Sequence, residues 1–486
     1  MSKLTRRHFL TGSAAAAFSL SAWQRAYGAN EAIRVAVVGT GGRGQDHIQG
    51  YSGNAKKSGL PGVRLVALCD VDTDHLDKSA LELDKRNVKV DKYGDFRKML
   101  ENKDIDAISI ATPNHQHSLQ AIWAMQAGKD VYCEKPISHN VWEGRKVVEA
   151  AEASGKVVAC GTQSRSNPGL QEAVKFIQDG KLGKILYVRG LCYKRRASIG
   201  KVDGPQMPPK TIDYDQWCGP ARTLPLTRKK LHYDWHWVWE TGNGDLGNQG
   251  IHQMDISRWI LGENKLSPRI FSIGGRFGYV DDGETPNTMM TIHDYAAAPL
   301  IFEVRGLPGK PVKEGEKEEM DELKGVKVGV IVKCENGTLA IPSYHAGTAM
   351  DNDGKVIQEF KGEGNHYKNF MDAVKNRTPK TLNAPILDGH LSSALCHTGN
   401  ISLRLGQAAS QDAIREKLKG NPVAQETFES ISMHLQTNLV DLTKNKAILG
   451  EFLTMDPATE TFVGNPAASA MLKREYRAPY IVPEKI

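Results

Sequence analysis

Over its first third the chain alternates short, densely apolar runs with amphipathic stretches of helical length. The runs Ile33–Gly39, Val63–Cys69, Asp106–Ala111, Asp130–Cys133 and Lys156–Cys160 are rich in apolar residues, as strands covered on both faces are. Between them, Ser118–Ala127 sets Leu119, Ile122, Trp123 and Met125 among small residues ahead of Gly128. Val141–Ala153 does the same with Val147, Val148 and Ala151 ahead of Gly155, and a glycine just past such a stretch is a helix stop. Strands alternating with helices of this length predict an α/β fold, a doubly wound parallel sheet over residues 31–163.

From Pro168 the pattern changes. A helix over Leu170–Gln178 leads through Gly180 and Gly183 into the alternating run Lys184–Tyr193. Strand-like runs recur at Arg269–Phe277, Thr288–Tyr295, Leu300–Val304, Val326–Cys334 and Thr338–Pro342 with no regular helices between them. This predicts a second, α+β domain over 164–486, built on a large, mostly antiparallel sheet. Lys310–Lys324, between Gly309 and Gly325, is dense in charge and reads as a solvated loop. His366–Val374 and Leu391–Leu405 read as helices, and the last seventy or so residues as a wrap around the outside.

Residues 1–30 stand apart. Thr5-Arg6-Arg7-His8-Phe9-Leu10 precedes the weakly apolar run Ala14–Leu20 and the small residues Ala26, Gly28 and Ala29. That order describes a twin-arginine export signal, and with it a periplasmic or otherwise exported protein. The apolar run is too short to span a bilayer. Composition narrows the picture further. The formal charge of +7 is set by 63 basic against 56 acidic residues, and four of the positives lie in the first 28 residues. The near-neutral remainder makes no case for nucleic acid or acidic membranes as partners. The seven cysteines are odd in number and lack metal-ligand spacing, so neither a disulfide framework nor a metal site is expected.

The candidate chemistry begins at the end of the first run. Gly39-Thr40-Gly41-Gly42-Arg43-Gly44 fits G-x-G-x-x-G directly after a strand. The first glycine permits the tight turn, the second lets a pyrophosphate approach the backbone, and the third lets the helix pack close with its N-terminus as an anion site. The second strand ends in Cys69-Asp70, where a carboxylate can accept from a ribose diol and repels a 2′-phosphate. NAD(H) is therefore favoured over NADP(H).

Ala111-Thr-Pro-Asn-His-Gln-His117 followed by Ala127-Gly-Lys-Asp-Val-Tyr-Cys-Glu-Lys-Pro136 resembles the Gfo/Idh/MocA oxidoreductase family, from about Ile33 to Gly406. The resemblance implies a Rossmann domain followed by an open-faced domain whose sheet makes a homo-oligomer contact, and a sugar or polyol substrate. It carries over Thr112, Pro113, Asn114, His117, Glu134 and Lys135 as cofactor contacts. At the carboxyl end of its strand, Lys135 can hydrogen-bond a substrate hydroxyl oxygen and stabilise charge developing there. In Gly242-Asn-Gly-Asp-Leu-Gly-Asn248-Gln-Gly-Ile-His252-Gln-Met-Asp255, His252 matches the family's general acid/base, while Asn248 stands where aspartate is common. An amide cannot neutralise an imidazolium, so either Asp245 or Asp255 takes over or the chemistry departs from a simple dehydrogenase. Trp235 and His236, in the aromatic run Tyr233–Trp239, are candidate substrate contacts together with Tyr193, Asn248 and His252.

The sequence thus predicts an exported NAD-dependent oxidoreductase of carbohydrate CH–OH groups, with Lys135, His252 and Asn248 as catalytic residues. Two alternatives stay open: a glycoside-cleaving enzyme that uses the same hydride chemistry, and a non-catalytic sensor.

Overall fold

The computed structural model describes residues 32–53, 60–311 and 317–486. The predicted export signal lies outside them, as does part of the charged Lys310–Lys324 segment. All seven cysteines are buried and free. Among the described residues, no helix is long and apolar enough to cross a membrane.

The first domain is a six-stranded, all-parallel sheet in the order β3-β2-β1-β4-β5-β6: Ile33–Val38 (β1), Val63–Cys69 (β2), Asp91–Tyr93 (β3), Ala107–Ile110 (β4), Asp130–Cys133 (β5) and Val158–Cys160 (β6). Its central strands are buried at almost every residue, which is why they read as apolar runs rather than alternating ones. Helices Gly42–Ser52 (α1), Thr73–Asp84 (α2), Phe96–Glu101 (α3), Asn114–Gln126 (α4) and Val141–Ser154 (α5) cover its faces. Helix α4 begins four residues before the sequence places it, because Pro113 holds extended geometry as its N-cap. Helix α5 starts where Asn140 accepts from the Glu143 N–H and stops at Gly155, in left-handed geometry.

The second domain centres on a twelve-stranded sheet: Ile185–Tyr193 (β7), Arg269–Gly275 (β8), Thr288–Asp294 (β9), Pro299–Arg305 (β10), Val328–Cys334 (β11), Gly337–Ile341 (β12), Ala346–Met350 (β13), Val356–Lys361 (β14), Gln407–Ala409 (β15), Ala447–Leu449 (β16), Leu453–Asp456 (β17) and Thr461–Phe462 (β18). All its pairings are antiparallel except β7 with β10. One face packs on Pro168–Gln178 (α6), Ile251–Leu261 (α7) and Ile386–Leu405 (α9) through Val188, Cys192, Leu300, Phe302 and Val304. On the opposite face, Phe271, Ile273, Met290, Ile292 and Ile301 bury against Gln411–Leu418 (α10) and Pro422–Thr437 (α11). The expected open face is thus covered over β8–β10 by this chain's own C-terminal helices.

The boundary at 163 does not separate two closed units. Helix His366–Asn376 (α8) returns to the first sheet, where Tyr367, Phe370, Met371 and Val374 pack with Val35, Val37 and Leu68. The tail does likewise, placing Tyr480 and Val482 in the cluster around Ile108 and Ile122.

Candidate active site

The carboxyl ends of β1, β2, β4 and β5 open onto a cavity of about 560 Å³, walled on its far side by residues 216–252. At its floor the β1–α1 turn takes the shape the glycine pattern predicts. Gly39 has φ +81°, and a Cβ there would lie 2.8 Å from the Ala111 carbonyl. A Cβ on Gly44 would overlap the Gly39 carbonyl oxygen, so helix α1 approaches only as glycine allows. Gly39, Gly41, Gly42 and Arg43 line the cavity, and Gly44 stands behind them.

Asp70 sits at the mouth of β2. Its Oδ2 accepts from the Thr40 N–H at 2.7 Å and the Thr40 hydroxyl at 3.0 Å, and its Oδ1 from the Asp72 N–H at 3.0 Å. Glu134, 3% exposed, accepts from Arg43 Nε at 2.9 Å and lies 3.1 Å from His47 Nε2. Burial opposes its charge, yet Arg43 and His47 outweigh that and hold the carboxyl well below its usual range.

Lys135 follows directly. Its ammonium donates to the Asn248 carbonyl at 2.9 Å, across 113 residues, which joins the two domains at the cavity. Burial lowers its pKa, with the Glu134 carboxylate resisting. One helical turn beyond Asn248, His252 opens α7 after the π-helical turn Leu246–Gly250. It is 6% exposed, lines the same cavity, and meets the edge of Tyr344 at 4.9 Å. Burial, reinforced by the Lys135 charge, drives its pKa well below 6.5, so the ring is neutral. Its Nδ1 is buried without a partner.

Neither acid considered as a substitute for the usual aspartate bonds to this ring. Asp245 is held by Arg196 at 2.7 and 2.8 Å, and Asp255 by Arg165 and Ser392. The Asn248 amide reaches only Asp245, at 3.5 Å. His252 is therefore an imidazole with no carboxylate partner.

Trp235 and His236 also line the cavity, their rings stacked at 3.6 Å. His236 Nδ1 donates to the Tyr233 carbonyl at 2.5 Å, which fixes the tautomer and leaves Nε2 as the acceptor. Burial lowers its pKa to about 3. Thr112, Pro113 and His117 line the cavity.

Two expectations need correction. Tyr193 points away from the cleft, because pleating puts it on the α11 side of β7 while Cys192 faces inward. Its hydroxyl donates to Glu303 at 2.7 Å under the Arg305 guanidinium. Asn114 lies behind the wall and donates to Asn243 at 2.6 Å, a bond between domains rather than a cofactor contact. The sequence reading had no pointer to Gln116, Gln163, Trp217 and His75, which border the cavity together with His232, a candidate secondary acid/base group beside the aromatic run. It also saw no metal spacing, whereas folding brings Asp72, His75 and His232 together.

A parallel sheet with this glycine turn, joined to an open-sheet domain that supplies an imidazole opposite a strand-end lysine, defines the class of two-domain, dinucleotide-binding oxidoreductases. The profile of the oxidoreductase family's NAD-binding Rossmann fold matches residues 33–162, and that of its C-terminal alpha/beta domain matches 170–285, together about half the chain. The chain belongs to the Gfo/Idh/MocA oxidoreductase family. It is 27% identical over 240 residues to inositol 2-dehydrogenase of Salmonella typhimurium, covering 49% of this chain and 57% of that one. It is 25% identical to levoglucosan dehydrogenase of Pseudarthrobacter phenanthrenivorans, covering 56% and 64%. The matches thus span little more than half of these curated relatives. In fold it is similar to the WlbA dehydrogenase of Bordetella pertussis, solved with NADH and UDP-GlcNAcA (TM-score 0.52, 21% identity, 75% of this chain and 94% of that one).

The residues present fit NAD. Gly42 faces open space in the turn while the His75 ring stands over Gly41, Asp70 stands at the ribose position, and the buried Gln163 Oε1 borders the cavity with no donor.

Proposed function

We propose that this protein is an exported, NAD-dependent dehydrogenase that moves hydride between a tightly held nicotinamide cofactor and a hydroxyl-bearing carbon of a sugar or polyol. The observation that carries this reading is the convergence of Lys135 and His252, from separate domains, on one cavity beside the glycine turn. The relatives named inositol and levoglucosan dehydrogenase support the substrate class. When bound, the nicotinamide supplies the hydride acceptor. His252, neutral and with Nδ1 sealed in the wall, takes the hydroxyl proton on Nε2. Lys135 spends one N–H on Asn248 and has two left for the substrate oxygen, whose charge it stabilises as the carbonyl forms. The reverse sequence returns proton and hydride to the ketone.

The strap over the cavity, residues 211–232 of the second domain, supports cofactor retention. The Thr73 N–H donates to the Thr211 carbonyl at 2.9 Å, and the Asp213 N–H to the Val71 carbonyl at 3.0 Å. His115 and Gln116 reach the Trp217 carbonyl at 2.9 and 2.7 Å. Arg477 of the tail clamps the same strap through Ala221 and Asp215. A captive cofactor suits a redox-neutral cycle outside the cytoplasm, in which one sugar is oxidised and another, or the same one, reduced. Native mass spectrometry of the purified chain should find nucleotide bound; protein that carries none and needs fresh NAD at each turnover contradicts retention.

The fixed tautomer of His236 favours a second reading, a glycoside-cleaving enzyme. Oxidation to a ketone acidifies the adjacent C–H, an imidazole lone pair takes that proton as the aglycone leaves, and water addition and reduction restore the sugar. Release of phenol from an aryl glycoside without net NADH formation selects this reading; NADH formation with no phenol selects the first.

Export rests on Arg6-Arg7. A reporter fused to residues 1–30 should leave the cytoplasm, and Arg6→Lys with Arg7→Lys should hold it there; export indifferent to that change contradicts the assignment. We propose a homo-oligomer contact at the β13–β14 edge of the second sheet, where Val356 and Ile357 are exposed. A single-chain mass by light scattering contradicts it.

A further inference from the structure

We propose that Asp72, His75 and His232 form a binding site for a divalent transition-metal ion, zinc being the best match, at the rim of the cofactor cavity. Asp72 lies just beyond β2 and caps α2, its Oδ1 accepting from the Asp74 N–H at 3.1 Å, which leaves Oδ2 directed at the two rings. His75 stands in the first turn of α2, and its Nδ1 is 3.7 Å from Asp72 Oδ2. His232 arrives from the strap of the other domain, with Nε2 at 2.8 Å from the same oxygen. The three ligand atoms lie within 4.8 Å of one another. Metal–ligand bonds of 2.0–2.1 Å in a tetrahedral site separate ligand atoms by about 3.3 Å, so small side-chain rotations would place all three on one ion.

The donor set is right for such an ion. Two imidazoles and a carboxylate suit zinc and its neighbours better than calcium or magnesium, which take oxygen ligands. Asp72 is 4% exposed, so its carboxylate is held in place by the fold. His232 is open to solvent, which leaves an entry path and a fourth position for water. The backbone is already fixed on both sides by the Thr73–Thr211 and Val71–Asp213 bonds, so binding would not have to order it. An ion here would pin the strap to the first domain.

The test uses the full chain, stripped of metal and nucleotide, so that its outcome does not depend on turnover. Zinc titrated by calorimetry should bind once per chain, and cobalt(II) should give the visible absorption of a four-coordinate N/O site. His232→Ala, at an exposed position, and His75→Ala should each weaken zinc binding about tenfold or more and remove the cobalt band, with far-UV circular dichroism unchanged. No binding by the unaltered chain, or binding that both variants retain, would overturn the proposal.

Discussion

In the proposed mechanism His252 takes the hydroxyl proton and Lys135 stabilises the oxygen's charge, and each role has a separable signature. Lys135→Ala should lower kcat/KM by about 10² to 10³ while leaving NADH binding, followed by fluorescence, within a few-fold. His252→Asn should cost about 10² to 10⁴. The pH profile carries the sign of the burial shifts. Because the pKa of His252 is pushed well below 6.5, the base stays unprotonated, and the acid limb of kcat/KM for oxidation should fall below pH 6.5. Because that of Lys135 is lowered from 10.5, the alkaline limb should come earlier than for a free lysine. Asn248→Asp restores a negative charge one turn from the ring and favours imidazolium, so the acid limb should move to higher pH; an unmoved limb would show that residue 248 does not reach the ring electrostatically. Both catalytic candidates were legible because each sits in a contiguous motif. Tyr193 misled because a pleat, not a motif, decides which side of β7 faces the cleft. His75, Gln163 and Trp217 left no local signal, since only the fold brings them to one wall.

At the scale of elements, legibility followed burial. Strands β1, β2 and β5 read directly as apolar runs because helices cover both faces of that sheet. Strands β3 and β14 were invisible because most of their residues are exposed and include Asp91, Lys92, Glu359 and Lys361, and β13 because its residues Ala346–Met350 are mostly small. In α2 likewise, Asp74, Asp77, Lys78 and Glu82 mask a narrow buried stripe of Leu76, Ser79 and Leu83. The glycine turn is the most exacting element. Gly44→Ala forces α1 away from β1 and should abolish NADH binding and lower the melting temperature, both measurable on the same sample; a variant that binds NADH normally contradicts the packing role of that glycine.

For the molecule as a whole, the sequence divides into two consecutive domains, but the folded chain crosses between them at α8, at the strap and at the tail. Those crossings join residues far apart in the chain, which no window of sequence displays. They also make a prediction of their own. Arg477→Ala removes the tail's hold on Ala221 and Asp215, so bound NADH should exchange faster in a competition assay; an unchanged off-rate would mean that the strap does not gate the cofactor. The central claim is that a lysine from one domain and an imidazole from the other act on one alcohol beside the cofactor. Its most direct test is deuterium transfer, in which protein loaded with NAD is incubated with polyols and pyranoses deuterated at their carbinol carbons. Deuterium should appear on the nicotinamide ring with the unaltered chain and be lost in both Lys135→Ala and His252→Asn. Transfer that survives both substitutions would contradict it.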